Sequence, residues 1–286
     1  MTFKSAVAGL PLGGGKGVIM LPDGVGYLRV TTFDNHKVDD DVHDELSRLE
    51  KSGMRMLLLD LRDNGGGLLD QAIEVADQFL PEDATIVETR GRTRDSYQSW
   101  SASGKYPALD IPVVVLVNEG TASAAEILAG AIQDHDVGVI VGTPTWGKGL
   151  VQTVYGLPYD GALALTTASY YTPSGRLIQR DYSSFYDYYV ADDGDEVVEV
   201  PLSERQQFKT DTGRVVYGGG GITPDLIIKP DTISTSEQDM SYASGGIVVP
   251  PPTGTQVYSE VVPFASGNRF NAVGDTVTIT FDVYYH

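Results

Sequence analysis

Between Gly24 and about Ile228, segments with the apolar spacing of a helix alternate with segments that have the apolar pattern of a strand. Apolar side chains recur every three to four residues, as on one face of a helix, in residues 38–51, 68–80 and 122–133. Short apolar runs typical of buried strands lie in residues 26–33, 54–61, 85–89, 112–117 and 137–141. Because helices and strands alternate, the pattern predicts an α/β domain built around a mostly parallel sheet with flanking helices.

The later part of this domain and the end of the chain have a different pattern. The polar residues 91–110 predict a loop, and strand-like segments follow in residues 150–154, 162–171 and 215–228. Beyond Pro230, Ser, Thr, Gly and Pro become frequent, and the alternation in residues 273–284 predicts a half-exposed strand. We therefore predict an atypical glycine-rich segment at residues 1–20, a core at 21–230, and a linker with a β-rich, irregular tail at 231–286.

The charge balance argues against two classes of partner. The 286-residue chain has 20 Lys and Arg against 39 Asp and Glu, a formal net charge of −19. This net charge argues against a nucleic-acid partner, because phosphate binding needs a basic face, and it also disfavours binding to anionic membranes. No apolar run of about 18 residues predicts a membrane span, and the N-terminus lacks the layout of a signal peptide. The sequence leaves the oligomeric state open.

Metal and thiol chemistry are not indicated. The chain has no cysteine, which excludes disulfides, a thiol nucleophile and thiolate metal sites. None of its four histidines is spaced to place two ligands on one helix face. An acidic cluster in residues 39–45 could hold a cation, but apolar residues from Val38 to Leu49 form a stripe along the same helix. We interpret the cluster as the solvated face of that helix and predict no metal.

Ser123 is the first candidate for a catalytic side chain. A buried strand at residues 112–117 runs through the turn 118–121 into a helix, and Ser123 stands at the start of that helix. Backbone amides at a helix N-terminus are unpaired and positively polarised, so an oxyanion beside Ser123 would find donors there. The alternative is structural, because Ser123 and Glu126 also match a capping box, in which the serine has no catalytic role.

A nucleophilic serine needs a base, and the sequence offers a lysine rather than a histidine. No histidine lies near a glycine-rich turn, and His135 is at the far end of the helix that begins at Ser123. A lysine can serve where burial makes its amine neutral enough to accept the serine proton. Lys148 follows a buried strand, has glycines on both sides and lies close to Trp146. The alternatives are a solvated loop lysine and a phosphate-binding loop, although Gly149 stands where that motif needs a hydroxyl residue.

Two further features could complete such a site. Gln152 lies four residues after Lys148 on a predicted strand, where its side chain could hydrogen-bond and orient the amine. It is equally an ordinary polar residue of a strand. The glycine turn at residues 64–67 also follows a buried strand and could direct a second backbone amide to the oxyanion. Its alternative interpretation is a common turn between a strand and a helix.

Four motifs carry a resemblance to a known family. They lie at residues 59–68, 117–126, 147–152 and 170–176, and a further match lies at residues 218–225. Together they resemble the C-terminal processing (tail-specific) serine peptidases over roughly residues 20–230. The gap of 25 residues from Ser123 to Lys148 and the step of four residues to Gln152 also agree with the family pattern.

This resemblance implies a crotonase-like or ClpP-like α/β core and a serine endopeptidase. It implies that Ser123 is the nucleophile, that Lys148 is the base and that Gln152 positions Lys148. The amides of Gly67 and Ala124 match the positions that form the oxyanion hole. Such an enzyme cuts proteins near unstructured, apolar C-terminal tails through an acyl-enzyme and uses no metal or cofactor. Its partners are proteins or peptides with an exposed C-terminus, and its compartment is the periplasm or another extracytoplasmic space.

The sequence departs from the family pattern in its N-terminal part. Family members normally carry a PDZ domain, which binds peptide tails, before or within the N-terminal part of the core, and about 20 residues cannot contain one. A catalytically impaired relative that binds peptides without cutting them is therefore one alternative. A crotonase-like acyl-CoA enzyme is another, because paired glycine turns over an α/β core also suit thioester chemistry.

Overall fold

The structure, a computed structural model, describes residues 24–159, 161–181 and 201–228 with their side chains. Outside those ranges it describes the backbone of five short strands. None of the helices in the described part of the chain is long and apolar enough to cross a membrane. These helices are α1 (Val38–Lys51), α2 (Leu69–Asp77) and α3 (Ala124–Asp134), and short 3₁₀ turns cover Arg94–Ser96 and Leu202–Glu204.

The strands form one parallel sheet, one four-stranded antiparallel sheet and three smaller antiparallel sets. In chain order they are β1 (Gly17–Met20), β2 (Val25–Arg29), β3 (Met56–Asp60), β4 (Thr85–Gly91), β5 (Gln98–Ser101), β6 (Val113–Val117), β7 (Gly138–Gly142), β8 (Leu150–Gly156), β9 (Ala162–Tyr171), β10 (Gln207–Lys209), β11 (Val215–Tyr217), β12 (Leu226–Ile227), β13 (Val257–Tyr258), β14 (Val261–Pro263), β15 (Thr276–Thr278) and β16 (Phe281–Tyr285).

Five parallel strands form the centre of the fold, in the spatial order β12, β7, β6, β3, β2. The register places Val115 opposite both Leu59 and Ile140. These three side chains belong to the main core, on the face where all three helices pack. A smaller apolar cluster, which includes Tyr27 and Val114, lies on the other face. Burial of both faces explains the continuous apolar runs, and the predicted mostly parallel sheet is confirmed.

The antiparallel sheet has the order β5, β4, β9, β8. Strands β8 and β9 form a long hairpin, in which Gly156 lies opposite Ala162 and Leu150 lies opposite Ser169. Strand β4 joins β9 to β5 and so links the hairpin to the rest of the domain. The strand-rich character predicted for the later part of the domain is confirmed for the residues that the structure describes.

Three neighbouring strands of the parallel sheet lead to the candidate residues. Strand β3 runs into the glycine turn at residues 62–67, β6 into the turn at 118–123, and β7 into the loop at 143–149. Because β7, β6 and β3 are adjacent and parallel, their carboxyl ends meet at one edge of the sheet. The topology therefore brings these three connections together.

Two predictions from the sequence are wrong. Residues 91–110 are not all loop, because Gln98–Ser101 form β5, which pairs with β4 and packs Trp100 against the main core. Within the acidic cluster, Asp39 is buried rather than solvated, and its backbone N–H donates to the Gln71 side-chain carbonyl at 3.2 Å. In both places the partner lies on another element, which periodicity within one segment does not detect.

The predicted N-terminal segment at 1–20 and the predicted tail at 231–286 lie mostly outside the described residues. In their described backbone, β1 and β13 pair with β16, and β14 pairs with β15, all antiparallel. Where alternation predicts one strand, at residues 273–284, the structure has two, β15 and β16, and β16 ends one residue later. The division of the chain into three parts stays a prediction.

A fully buried ion pair fastens α3 to the turn that follows β9. The Arg176 guanidinium donates to the Asp134 carboxylate and to the Gln133 side-chain carbonyl, both at 2.7 Å. Asp134 also accepts hydrogen bonds from the amide and the hydroxyl of Ser174. The exposed fraction of Arg176 is 0% and that of Asp134 is 1%. Close partners around both charges offset the cost of removing them from water.

Replacement of Arg176 by alanine should destabilise the fold strongly, because Asp134 would remain as a buried carboxylate without its cation. We expect a loss of about 3–5 kcal/mol in the free energy of unfolding, measured by urea denaturation. Arg48→Ala is the matched control, since Arg48 pairs with Glu45 on the exposed side of α1 and an exposed pair contributes at most about 1 kcal/mol. Equal losses in the two variants would contradict the role given to Arg176.

Candidate active site

Ser123 lies on a tight turn between β6 and α3, at the N-cap position of the helix. Its backbone has a φ of +57° and a ψ of −117°. Serine rarely adopts this conformation, which costs on the order of 1–3 kcal/mol and persists only where the surroundings enforce it. The Thr121 hydroxyl contributes to that support, because it accepts the Asn118 N–H at 3.0 Å and donates to the Leu61 carbonyl at 2.8 Å. The turn thus holds Ser123 half-buried at the start of α3.

The glycine turn after β3 packs directly against the Ser123 turn. The Ala122 N–H donates to the Asn64 carbonyl at 2.9 Å. A β-carbon added at Gly66 would lie 2.8 Å from the Ser123 β-carbon and 2.9 Å from the Ala124 nitrogen, so that only glycine fits there. The sequence predicts two separate turns, and the structure brings them into contact.

Asn64 fixes the shape of the glycine turn. Its side chain is fully buried, donates to the Val30 carbonyl at 2.8 Å and accepts the Gly66 N–H at 2.9 Å. Gly67 follows with a φ of +142°, a conformation that favours glycine. Within the part of the chain that the structure describes, neither the Gly67 N–H nor the Ala124 N–H donates a hydrogen bond. Each of the two packed turns therefore carries a backbone donor that is free to bind an anion.

The loop after β7 brings Lys148 to the same edge of the sheet. The Trp146 N–H donates to the Thr121 carbonyl at 2.9 Å, which ties this loop to the Ser123 turn. The Arg180 guanidinium covers the Trp146 ring at 3.9 Å from the ring centroid. Lys148 itself is half-buried.

The carboxylate of Glu126 joins the Ser123 turn to the Lys148 loop. Its Oε2 accepts the Ser123 N–H at 2.8 Å and the Lys148 N–H at 2.9 Å. Its Oε1 accepts the Thr145 hydroxyl at 2.5 Å and the Gly147 N–H at 2.7 Å. A single carboxylate oxygen therefore links the backbones of Ser123 and Lys148 by accepting one hydrogen bond from each.

Glu126 is completely enclosed by the protein, with 0% of its surface exposed. Burial raises the pKa of its carboxyl above the ordinary value, while the four hydrogen bonds favour the ionised form and oppose that shift. All four partners present a donor. Charge-assisted hydrogen bonds of this kind offset the cost of burying a carboxylate.

From the sequence, Glu126 is predicted only to be the last residue of a capping box, and its link to Lys148 emerges from the fold. The half of that box in which Glu126 accepts the Ser123 N–H is present. One feature of the sequence indicates that Glu126 is buried. It is the only charged residue in a run of small and apolar residues from Ala124 to Ile132. A buried carboxylate needs several donors, which had to come from elsewhere in the fold.

Gln152 lies on β8, but the structure does not join it to Lys148. Its side chain is exposed, and its register partner is Thr166 on β9. Lys148 instead donates its backbone N–H to the Glu126 carboxylate. No hydrogen bond among the described residues links the side chains of Ser123, Lys148 and Gln152. The dyad and the orienting role of Gln152 stay predictions.

His135 lies at the opposite end of α3 from Ser123. Its two ring nitrogens contact the Asp211 carboxylate and the Thr85 carbonyl, each at 2.7 Å. Among the residues described with side chains, no group of acidic and histidine side chains is arranged to hold a metal ion. Ser123, Lys148 and the backbone amides of Gly67 and Ala124 lie at the other end of α3, on the turns that meet at this edge of the sheet.

The segment that contains this site is similar in sequence to known proteins. The model of peptidase family S41 matches residues 24–184. The carboxy-terminal-processing protease of Bartonella bacilliformis is 44% identical over 184 residues, which are 63% of this chain and 40% of that protein. The carboxyl-terminal-processing protease of a Synechocystis species is 43% identical over 178 residues, which are 62% of this chain and 39% of that protein.

A solved structure is similar over a larger part of the chain. The photosystem II D1 C-terminal processing protease has a TM-score of 0.54 and a sequence identity of 28%, and the match covers 84% of this chain and 55% of that one. The chain therefore spans about half of the solved relative and about two fifths of the curated ones.

Substitution of Gly66 by alanine should displace the Ser123 turn. The added β-carbon would lie 2.8 Å from the Ala122 carbonyl oxygen, and the φ of +97° disfavours any residue but glycine. We expect a loss of about 1–3 kcal/mol in the free energy of unfolding, measured by urea denaturation. Gly65→Ala is the matched control, because its β-carbon would have no atom within 4 Å. Similar stabilities of the two variants would argue against the close packing of the turns.

Glu126→Ala should destabilise the protein more than Glu126→Gln does. Alanine leaves four donors without an acceptor. Glutamine can keep its oxygen toward the Ser123 and Lys148 amides, so that only the Thr145 hydroxyl and the Gly147 N–H lose their acceptor. We expect losses of at least about 3 kcal/mol for alanine and about 1–2 kcal/mol for glutamine in urea denaturation. Two equally unstable variants would be inconsistent with this arrangement of donors.

Proposed function

The chain belongs to peptidase family S41, and we propose that it is a serine endopeptidase in which Ser123 and Lys148 form the catalytic dyad. The observation that carries this proposal is the Glu126 carboxylate, since one of its oxygens accepts the backbone N–H of both residues. The matched relatives are named as carboxy-terminal-processing proteases. We therefore infer that the substrates are proteins with exposed, unstructured and apolar C-terminal tails.

In the proposed reaction the Ser123 hydroxyl attacks the carbonyl carbon of the scissile peptide bond, and its proton passes to the Lys148 amine. The carbonyl oxygen becomes an oxyanion, for which the amides of Gly67 and Ala124 are the donors. Collapse of this intermediate breaks the C–N bond, and the leaving amine takes the proton from Lys148. The remaining acyl group is an ester of Ser123. Water that gives its proton to Lys148 then hydrolyses the ester and restores the serine.

Several features of the site support these assignments. The amides of Gly67 and Ala124 are free donors on two turns that touch each other. Ala124 is the first residue of α3, where the helix dipole favours negative charge. The proposed role of Gln152 is to hydrogen-bond the Lys148 amine once its side chain turns from the exposed position on β8 toward the lysine. No metal or cofactor takes part in this scheme.

The remaining parts of the proposal rest on the family. We infer that the core is of the crotonase-like or ClpP-like kind and that the enzyme works in the periplasm or another extracytoplasmic space. The matched relatives include a chloroplastic C-terminal processing peptidase from Tetradesmus obliquus as well as bacterial proteins. The proposed partners are protein and peptide substrates.

A relative that binds peptide tails without cutting them is the second candidate. The observation that favours it is the lack, among the described residues, of a hydrogen bond between the side chains of Ser123 and Lys148. Such a protein would retain a bound tail intact. The two candidates therefore differ in whether product appears when the folded chain is mixed with an unfolded protein.

Cleavage of an unfolded protein with an apolar C-terminal tail tests the dyad, with products identified by mass spectrometry. Ser123→Ala and Lys148→Ala should each lower the cleavage rate at least about a thousandfold, because each removes a reacting group. Lys209→Ala changes an exposed lysine on β10 and should keep the wild-type rate. Unchanged cleavage in the Ser123 or the Lys148 variant would overturn the dyad, and a wild-type chain that binds but never cuts would favour the second candidate.

A further inference from the structure

The hairpin of β8 and β9, residues 149–171, forms an arm that is almost uncharged and whose outer part, residues 154–159 and 161–166, is exposed. It contains one charged residue, Asp160, although 21% of the whole chain is charged and the net charge is −19. A cluster of exposed apolar side chains marks a site of interaction. The exposed apolar side chains of the arm are Val154 (66%), Tyr155 (47%), Leu157 (49%), Tyr159 (102%), Leu163 (43%) and Leu165 (45%).

Most of these side chains share one face of the hairpin. Tyr155 lies opposite Leu163, and Thr153 lies opposite Leu165. Since alternate residues of a strand point to the same side, Tyr155, Leu163 and Leu165 form a continuous patch, which we call the arm face. Leu157 extends this patch toward the tip.

The outer edge of β8 has backbone groups available for pairing. In the part of the chain that the structure describes, β8 is the last strand of its sheet. The Leu157 N–H donates to the Gly161 carbonyl at 2.8 Å, so the hydrogen-bonded pairs of this antiparallel ladder fall on every second residue from Leu157. Gln152, Val154 and Gly156 consequently direct their N–H and C=O groups away from β9. This row of groups begins four residues after Lys148.

We propose that the arm is the substrate-docking surface of the peptidase site, an inference that rests on the proposed function. An extended, uncharged, apolar segment of the substrate adds to the free edge of β8 as a further strand. Its backbone pairs with Gln152 and Val154, and its side chains lie on the arm face. Because β8 starts two residues after Lys148, a segment bound along this edge leads to the Ser123 turn.

The chemistry of the arm selects this occupant. A charged segment would lose hydration here, and the exposed residues of the arm that the structure describes carry no charge to pair with it, which costs free energy. An apolar segment gains about 25 cal/mol for each square ångström that it buries. The free backbone edge requires an extended partner, which an unstructured tail supplies. The edge of β8 is continuous with Lys148. This position favours a substrate segment as the occupant, rather than a permanently bound subunit.

Binding of a fluorescent, uncharged twelve-residue peptide of Leu, Val and Ala to the full chain carrying Ser123→Ala, followed by anisotropy, tests this proposal. Val154→Pro removes an N–H that points away from β9 and should leave the hairpin ladder intact. Leu165→Lys places a charge on the arm face. Each should raise Kd at least about tenfold. The control Val215→Lys changes a side chain on β11 that is 48% exposed and should bind like the parent.

Unchanged affinity in both arm variants would overturn the proposal, as would a parent chain that does not bind the peptide. If Val154→Pro unfolds, judged by circular dichroism, Leu165→Lys decides alone because its side chain is already exposed. Sedimentation velocity that shows a dimer dissociated by Leu165→Lys would make the arm an interface between copies and would also overturn the proposal. If both arm variants weaken peptide binding but the wild-type chain does not cut, the docking proposal is supported. Only the proposed peptidase activity is then contradicted.

Discussion

The carboxylate of Glu126 is the contact on which the geometry of the candidate site depends. It lies on the first turn of α3 and receives the Ser123 N–H from its own helix and the Lys148 N–H from a loop 22 residues away. A buried carboxylate is costly unless several donors surround it. If the Lys148 loop moved away, Glu126 would lose three of its four partners. The need to satisfy one buried charge thus fixes the separation of two loops.

The parallel sheet makes this contact possible. The turns after β3, β6 and β7 meet because the three strands are adjacent and point the same way. Close approach then depends on Gly66, where any side chain would collide with the Ser123 turn. The strained backbone of Ser123 is held by the same contacts, and strain of this kind is typical of functional residues. The apolar core therefore sets the position of each turn, and hydrogen bonds set its shape.

Elements with strong periodicity could be predicted from the sequence, and features that depend on distant partners could not. The predicted helix at 38–51 and the predicted strand at 162–171 have the bounds that the structure gives to α1 and β9. The sequence does not predict strand β5, because pairing with β4, rather than its own composition, makes it a strand. The role of Glu126 also depends on residues that only the fold brings near. The sequence motifs indicate Ser123, Lys148 and the glycine turns, and the hydrogen bonds that the structure shows between the Ser123 turn and Lys148 run from backbone amides to the Glu126 carboxylate.

The rate at which a fluorophosphonate modifies Ser123 is the most direct test of this role for Glu126, because the reaction requires an activated hydroxyl but no bound peptide. We predict that the wild-type chain is labelled at Ser123, as located by peptide mass spectrometry. Folded Glu126→Ala should react at least about tenfold more slowly, since the shared acceptor of Ser123 and Lys148 is lost. Labelling of that variant at the wild-type rate would contradict the conclusion that the Glu126 carboxylate sets the geometry of the site.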